Sequence, residues 1–320
     1  MANLEIKNII NDFLPNKIFD AHMHLYDKSY MVEGAETFTL ERYREELSKT
    51  FRDREVLVNI IPYPSKKVAL SKDDSVLRLT DEVLYNELSK EPSNVGEILV
   101  LPNDTEESIL CRIKSSQICG FKPYHLLNAA KATLQLDVEK YLPEAAFSLA
   151  NKLGKVITLH LVKDKALSDE NNLNYIIKMA KKYPNAKLIL AHAARGFASW
   201  TTLESIDKIK HLDNVWYDLS SICESPAIFQ IIKKCGTSRV IWGSDYPVCN
   251  IVGKVISIAD KFYWIDQNIN HEIAKEIELL TVSEENILAV RQASIMLDLT
   301  KKDIEDIFYN NAKRLLIDRK

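Results

Sequence analysis

Short apolar runs alternate along the chain with longer stretches whose charged residues recur on one face. The run at 56–61, Val-Leu-Val-Asn-Ile-Ile, is nearly all apolar and rich in β-branched residues, which predicts a strand covered on both faces. Stretches such as 75–90 carry charges at helical spacing and predict helices between the strands. The alternation predicts eight strands, at residues 17–22, 55–61, 97–101, 120–123, 155–160, 186–192, 214–219 and 239–245.

Eight strands that alternate with helices predict an α/β fold in which a parallel sheet closes into a (β/α)8 TIM barrel. Residues 284–296 and 302–317 predict additional C-terminal helices, which we expect to wrap the barrel. No low-complexity linker divides the chain, so we expect one domain over residues 1–320. The helices between strands are predicted at 40–51, 75–90, 105–116, 143–153, closed by Gly154, and 171–182.

Composition describes a globular protein without a general affinity for polyanions. The 320 residues are 46% hydrophobic, enough to bury a large core. The 42 basic and 45 acidic residues give a formal charge of -3, which offers no general attraction to nucleic acid or to an anionic membrane. The N-terminus lacks the pattern of a secretory signal. We expect a cytoplasmic protein that acts on a small molecule, with its five widely spaced cysteines reduced.

The segment Asp20-Ala21-His22-Met23-His24 ends the first predicted strand. Residues two apart on a strand project to the same face, so His22 and His24 can offer two imidazoles to one metal ion. A His-x-His triplet alone is weak support, because such triplets are more often incidental than not.

Further polar residues stand at the ends of later predicted strands. They are Lys122, His160, His192 and Asp245. Each alone has an ordinary explanation, since a single histidine on a strand is usually a core residue and an aspartate after Gly-Ser usually forms a turn. The carboxyl ends of barrel strands meet at one rim, however, and burying several ionisable groups there without a metal would be costly. The set therefore predicts a metal site.

The order of these motifs resembles the amidohydrolase superfamily, and within it the branch called amidohydrolase-related or family 2. The resemblance covers about residues 17 to 317 and implies a TIM-barrel enzyme that uses one or two divalent metals, commonly zinc, to activate water. Members include lactonases, amide and ester hydrolases, and non-oxidative decarboxylases. The motifs that carry it are 20–24, Gly120-Phe121-Lys122, His160, His192, Gly243-Ser244-Asp245-Tyr246-Pro247 and a closing helix at 307–316.

The resemblance implies that one ion is held by His22, His24, His160 and Asp245. Zinc suits these side chains, and manganese or iron would also do so. The ion would lower the pKa of a bound water toward neutrality, while Asp245 would accept the water proton and pass it to the leaving group. His192 would hydrogen-bond the water or substrate in a mononuclear site, or bind the second ion in a binuclear one.

Lys122 separates these two kinds of site. Carboxylated by carbon dioxide, it would bridge two metals; as an ordinary ammonium, it would face the carboxylate or carbonyl oxygen of a substrate. We expect the ammonium and a mononuclear site, because Gly-Phe-Lys-Pro is more similar to the family 2 branch. A third interpretation has Lys122 only extending to solvent, as most lysines do.

Three further residues are candidate substrate contacts. Arg195 lies where a rim loop should begin and can bind a carboxylate through two parallel hydrogen bonds, although loop arginines are as often simply solvated. Tyr124 and His125 follow the fourth strand and are expected to line the pocket. No chemistry is expected of His211 or His271, which fall on helix or loop segments.

The leading function is a metal-dependent hydrolase of a small carboxylate-, amide- or lactone-containing metabolite. A non-oxidative decarboxylase of a small carboxylic acid would use the same ligands, but decarboxylases often have a carboxylate where this chain has His22, which favours hydrolysis. A catalytically inactive barrel scaffold is disfavoured because every expected ligand type is retained. Family members are often dimers, so the resemblance implies a homodimer as one option for assembly.

Overall fold

The computed structural model describes residues 2–31, 34–71, 74–266 and 279–318. Eight parallel strands follow one another around a single sheet, each hydrogen-bonded to the next along the chain. This topology confirms the predicted (β/α)8 TIM barrel. The strands are β1 (Lys17–Leu25), β2 (Glu55–Pro62), β3 (Val95–Val100), β4 (Ile118–Pro123), β5 (Val156–Leu159), β6 (Lys187–Leu190), β7 (Val215–Asp218) and β8 (Val240–Ile241).

Main-chain hydrogen bonds close the barrel between β1 and the segment that follows β8. The His24 amide donates to the Tyr246 carbonyl at 2.9 Å, and the Asp245 amide donates to the His22 carbonyl at 2.7 Å. Gly243 permits this close approach, because a Cβ at its position would lie 2.6 Å from the Cβ of His22. The first and last strands therefore meet at the level of the His-x-His motif.

Helices cover the outside of the barrel and fill most connections between strands. They are α1 (Ala2–Phe13), α2 (Leu40–Phe51), α3 (Lys66–Leu70), α4 (Ser75–Lys90), α5 (Glu106–Leu110), α6 (Glu144–Leu153), α7 (Glu170–Lys182), α8 (Trp200–Leu203), α9 (Ile206–Ile209), α10 (Ser225–Cys235), α11 (Val282–Met296), α12 (Lys301–Glu305) and α13 (Asn311–Leu316). Helix α2 begins where the Thr39 hydroxyl accepts a hydrogen bond from the Arg42 amide. Helix α6 ends at Gly154, whose φ of 62° lies in the left-handed region, as the sequence predicts. Among the described residues, no helix has both the length and the apolar character needed to cross a bilayer.

Several element boundaries differ from the predictions. Helix α5 ends at Leu110, short of residue 116, and the predicted helix at 302–317 is divided by a π-helical turn at Asp306–Asn310. The sixth strand ends at Leu190, since the residues that follow adopt positive φ angles and leave the sheet. The spacing of apolar residues does not report backbone angles, so it does not detect changes of this kind.

An antiparallel hairpin of β9 (Gly253–Ile258) and β10 (Lys261–Asp266) follows the barrel and is absent from the predictions. Its strands are only half buried, so their apolar residues do not form the continuous run that marked the barrel strands. The N-terminal segment forms helix α1.

The inside of the barrel is apolar where the strands begin. Every strand contributes a side chain to this layer and helix α13 packs against it: Phe19, Ala21, Leu57, Val95, Cys119, Val156, Ile189, Trp216 and Ile241, with Ala312, Leu315 and Leu316. Side chains two residues apart on a strand share a face. Two residues beyond Leu57, Val95 and Val156, this face carries the polar side chains of Asn59, Glu97 and Thr158. The ionisable groups of the rim therefore stand above an apolar floor.

Candidate metal centre

Two imidazoles from β1 face each other inside the barrel. The Nε2 atoms of His22 and His24 lie 3.2 Å apart, and both side chains are almost fully buried. Burial lowers the pKa of both imidazoles, and the charge of Lys122 lowers it further. Both rings are therefore neutral at neutral pH, the form that binds metal.

The other nitrogen of each ring is bonded to an oxygen acceptor. His22 Nδ1 lies 2.7 Å from Oδ2 of Asp218, and His24 Nδ1 lies 3.1 Å from the carbonyl oxygen of Ile61. A carboxylate or carbonyl oxygen only accepts, so each Nδ1 carries the proton and donates it. The Nε2 atoms are then left with lone pairs that point toward each other.

Asp245 brings a third acceptor to the same place. Its Oδ1 lies 3.4 Å from Nε2 of His24 and 3.8 Å from Nε2 of His22, while the Ser221 hydroxyl donates to Oδ2 at 2.9 Å. Burial alone would raise the pKa of Asp245, but the surrounding imidazoles, His192 first and then His24 and His22, hold it below the usual range. The side chain is therefore a carboxylate.

We call His22 Nε2, His24 Nε2 and Asp245 Oδ1 the acceptor triad. Acceptors that converge without a proton between them repel one another unless a cation lies among them, and these residues offer ligand atoms all within 4.8 Å. Two neutral imidazoles and a carboxylate suit zinc, and also manganese or iron. The bonds at Nδ1 are the outer support that metal-binding histidines have. The residues present therefore fit a divalent cation.

His192 stands beside the triad on a strained turn. Residues 192–195 all have φ between 51° and 61°, one turn of left-handed backbone that costs roughly 1–2 kcal/mol per residue. The His192 ring stacks on that of His22 with centroids 5.2 Å apart, and Nδ1 lies 3.1 Å from the Ser220 carbonyl oxygen. With His22 and Asp218 it forms a second group of close ligand atoms. Strain of this kind concentrates at functional sites.

His160, the fourth predicted ligand, contacts Arg195 and belongs to neither group of close ligand atoms found in the described part of the chain. Arg195 Nη1 donates to His160 Nε2 and to the Leu161 carbonyl oxygen, each at 3.3 Å. The His160 ring meets the His192 ring edge-on, with centroids 5.0 Å apart. His160 can bind an ion through Nε2 only after releasing Arg195, so its ligand role stays a prediction.

Lys122 is completely buried at the end of β4, and the interpretation that it only extends to solvent is wrong. Its Nζ lies 3.2 Å from His22 Nε2, the same nitrogen that belongs to the acceptor triad. Burial lowers the pKa of Lys122, while the negative charges of Glu97, Asp245 and Asp218 oppose this effect. The ammonium and a metal ion would thus compete for one lone pair.

Tyr124 and His125 lie on the side of the rim that holds His160 and Arg195. Their rings lie 4.9 and 6.1 Å from that of His160, and Nδ1 of His125 is 2.8 Å from the Thr133 hydroxyl. Burial, together with the charges of Arg195 and Lys66, lowers the pKa of His125 to about 4. His125 is therefore neutral at neutral pH.

Aromatic side chains form a wall over this part of the rim. Phe197 stacks on His192, with ring centroids 5.3 Å apart, and packs against Phe262 of β10 at 5.1 Å. The Arg195 guanidinium lies over the ring of Phe262 at 5.2 Å from its centroid. The hairpin therefore borders the face of the rim where Arg195 lies.

Sequence reasoning missed Asp218, Ser220 and Glu97. Asp218 is the single carboxylate of an otherwise apolar strand and ends β7, so the rule that identified Asp245 would have found it. Ser220 donates to Asp218 at 2.6 Å, but nothing in a Leu-Ser-Ser segment indicates this. Of the histidines expected to be inert, His211 is exposed and His271 lies outside the described residues.

The sequence matches the family model described as amidohydrolase over residues 19–316. No curated protein sequence matches the chain. Among solved structures, the chain is similar to an amidohydrolase from Burkholderia multivorans with bound zinc, at 13% identity and a TM-score of 0.57, over 93% of this chain and 98% of that one.

Two decarboxylase structures are similar to the same extent. The 5-carboxyvanillate decarboxylase of Sphingomonas paucimobilis has 12% identity and a TM-score of 0.55, over 94% of this chain and 99% of that one. The dihydroxybenzoic acid decarboxylase of Polaromonas sp. JS666, with bound manganese and the inhibitor 2-nitroresorcinol, has 13% identity and a TM-score of 0.57, over 94% and 97%. At such identities the likeness concerns the fold.

Proposed function

The chain belongs to the amidohydrolase family, and from this premise we propose that it is a metal-dependent hydrolase of a small carboxylate-, amide- or lactone-containing metabolite. The observation that carries the proposal is the acceptor triad of His22, His24 and Asp245, whose lone pairs converge because Asp218 and Ile61 hold the opposite nitrogen of each ring. Zinc is the ion we propose, with manganese or iron as alternatives.

His22, His24 and Asp245 would hold a divalent ion, and that ion would supply a Lewis acid for water or for a substrate carbonyl. Asp245 accepts the proton of the attacking water, because its depressed pKa keeps the carboxylate ionised and the Ser221 hydroxyl fixes its orientation. The same carboxyl then returns the proton to the leaving group. His192 Nδ1 lies 3.9 Å from Asp245 Oδ2. From this position His192 holds the reacting water or substrate beside the carboxylate.

Arg195 and Lys122 supply the positive charge that orients a substrate carboxylate or carbonyl. Arg195 is partly buried, and its guanidinium donates to His160 at 3.3 Å while lying against Phe262. A guanidinium held in place this way binds a carboxylate with little loss of freedom. Tyr124 and His125 border the same space and shape it.

A non-oxidative decarboxylase is the second candidate. It is favoured by the Arg195 cation beside an aromatic wall, which suits an aromatic carboxylic acid, and by decarboxylases among similar folds. His22 favours the hydrolase, since neutral imidazole leaves the centre more positive than a carboxylate would and so a stronger Lewis acid for water.

Metal content tests the proposal first. The protein and a Lys122→Ala variant are purified without chelator and measured by elemental mass spectrometry. About one ion in both proteins supports the mononuclear site. No metal in either protein contradicts the proposed function, and about two ions that fall on loss of Lys122 contradict the mononuclear form, because they indicate a carbamate-bridged pair.

The metal-loaded protein is then offered lactones, amides and esters beside aromatic carboxylic acids. Acid released from the first group supports hydrolysis, whereas carbon dioxide from the second supports the decarboxylase. Asp245→Asn is the inactive control, because an amide cannot accept the proton.

A further inference from the structure

We propose that Glu97 is a positioning residue whose free carboxylate oxygen receives the Lys122 ammonium when a divalent ion takes the lone pair of His22. This inference rests on the metal site of the proposed function. It concerns the layer of the barrel directly beneath that site, where a buried carboxylate has no assigned role.

Glu97 is fully buried on β3, and only half of its carboxylate is used. Its Oε1 accepts hydrogen bonds from the Asn59 amide at 2.8 Å and from the Thr158 hydroxyl at 2.7 Å. Asn59 is itself fixed, because its amide also donates to the Ala21 carbonyl at 3.0 Å. Strands β2 and β5 thus hold the carboxylate in one orientation.

The second oxygen, Oε2, has no hydrogen-bond partner in the described part of the chain. A buried acceptor without a donor is costly, and a buried carboxylate costs still more, so an arrangement of this kind calls for a cation. Burial raises the pKa of Glu97 to about 7, and Lys122 is the only charge among the leading causes that opposes this effect.

Lys122 is the only lysine or arginine among the described residues that the barrel buries completely. Of the opposite charges that act on it, Glu97 has the largest effect on its pKa. In the strand register Glu97 of β3 lies opposite Gly120 of β4. Lys122 is two residues further along β4, so its Cα lies on the same face of the sheet and nearer the rim. The absence of a side chain on Gly120 leaves the carboxylate and the lysine as neighbours across the two strands.

Metal binding would deprive Lys122 of its hydrogen-bond acceptor, and Glu97 can replace that acceptor. The Lys122 ammonium donates to His22 Nε2 at 3.2 Å, and that lone pair is one that the ion would take. The ammonium would then lack its acceptor while standing beside a second positive charge, which repels it strongly at low dielectric. Glu97 Oε2 is an acceptor of opposite charge, and in the strand register Glu97 lies one step further from the rim than Lys122. The carboxylate therefore holds one N–H of Lys122 away from His22 Nε2, so that the ammonium does not compete with the ion, and leaves its other N–H groups free to face a substrate.

The test is a cycle of Glu97→Gln, Lys122→Met and the double variant, with Zn²⁺ affinity measured at pH 8 by competition with a chromophoric chelator. Glu97→Gln keeps the bonds to Asn59 and Thr158 but removes the charge. We expect it to weaken Zn²⁺ binding about 10- to 100-fold, because the Lys122 charge is no longer balanced. Lys122→Met in the Glu97→Gln background should restore the affinity to within about threefold of Lys122→Met alone.

Glu87→Gln is the matched control. Glu87 is also buried, but it lies on α4, where it accepts from the Leu40 amide at 2.9 Å and pairs with Lys90. Its loss should leave Zn²⁺ affinity unchanged. Equal affinity of Glu97→Gln and the parent protein would overturn the proposal. A double variant that binds Zn²⁺ as weakly as Glu97→Gln would overturn it as well. The effect of Glu97 would then be independent of Lys122, as expected if Glu97 had only a structural role.

A second measurement separates this proposal from that of the metal site. The melting temperature of the metal-free proteins should be non-additive around the same cycle, because removal of one buried charge leaves the other unpaired whereas removal of both does not. A parent protein without Zn²⁺ affinity contradicts the proposed function, yet non-additive melting would still support the Glu97–Lys122 pair. Additive melting would contradict the pair even in a protein that binds zinc.

Discussion

The two sides of the barrel rim are built on different principles. On the first side, formed by β1, β7, β8 and His192 from the turn after β6, each histidine has a ring nitrogen held by an oxygen: His22 by Asp218, His24 by Ile61 and His192 by Ser220. On the second side, which follows β4 and β5 and includes Arg195, His160 accepts a hydrogen bond from Arg195 and its ring contacts those of Tyr124 and His125. The first side is an array of oriented lone pairs, and the second an array of cations and aromatic faces.

This difference separates two tasks. Lone pairs fixed by buried acceptors cannot turn away, which suits the metal ion that we propose for the first side. Ring stacking and an arginine on a strained turn fix position less strictly and leave the bonding partner open. We therefore expect substitutions on the first side to act on metal binding and those on the second to act on substrate binding.

His22→Ala tests the first side most severely. Because it removes one atom of the acceptor triad, Zn²⁺ affinity should fall by more than the roughly 10- to 100-fold that the loss of an outer partner costs. Metal content by elemental mass spectrometry and turnover should fall together. His211→Ala removes an exposed histidine and should change neither quantity. A His22→Ala protein that keeps its metal would contradict the assignment of the triad.

Asp218→Asn asks whether the oriented lone pairs matter as much as the ligands themselves. Loss of the carboxylate 2.7 Å from His22 Nδ1 weakens the control over which nitrogen carries the proton, so Zn²⁺ affinity should fall roughly 10- to 100-fold. Titration against a chelator measures the change. Asp213→Asn, an exposed carboxylate just before β7, is the control. Unchanged affinity in Asp218→Asn would mean that the two sides of the rim do not differ in this respect.

Arg195→Gln should affect the second side alone. A guanidinium–carboxylate contact is a charge-assisted hydrogen bond, so its loss should raise KM for a carboxylate substrate about 10- to 100-fold, with metal content unchanged. Arg195→Lys keeps the charge but not the forked geometry and should recover only part of the loss. Loss of metal in Arg195→Gln would place this residue with the first side and remove the distinction.

We expect the smallest effect from His125→Gln. It concerns how the free energy of unfolding changes with pH. The folded protein holds the pKa of His125 at about 4, against about 6.5 in an unfolded chain, so below pH 6.5 the unfolded chain binds the extra proton. Stability is therefore lost as the pH falls from about 6.5 toward 4. At pH 5.5, between the two pKa values, we expect His125→Gln to reduce this loss by about 1 kcal/mol.

Urea unfolding at pH 7.5 and 5.5 measures the change for His125→Gln beside His211→Gln, whose side chain is exposed. Equal acid sensitivity of the parent and His125→Gln would show that the second side does not favour neutral histidine.

The two sides also differ in how well the sequence predicts them. Strands β1, β2 and β5 are marked by apolar runs, and the strand-end rule places His22, His24 and Asp245 at one rim without any structure. The Asp218 bond to His22 joins residues far apart in the chain, and a pattern of local spacing carries no record of it.

The second side depends on features that periodicity does not encode. The left-handed turn at 192–195 follows an apolar run, and the sequence predicts strand as far as His192, the first residue of that turn, because an apolar run does not report the sign of φ. That turn decides where Arg195 points, and so decides that His160 meets a guanidinium. The sequence does not indicate the burial of Lys122 either, since most lysines reach solvent.

Closure of the barrel between β1 and the end of β8 has a consequence for the order of biosynthesis. The two histidines leave the ribosome with the first strand, but Asp245 and the main-chain groups that hydrogen-bond this strand emerge only with the last one. Folding during translation proceeds from the N-terminus, so a growing chain carries a histidine pair long before it carries a complete centre. An ion can therefore be bound by His22, His24 and Asp245 together only after all eight strands of the barrel have been synthesised.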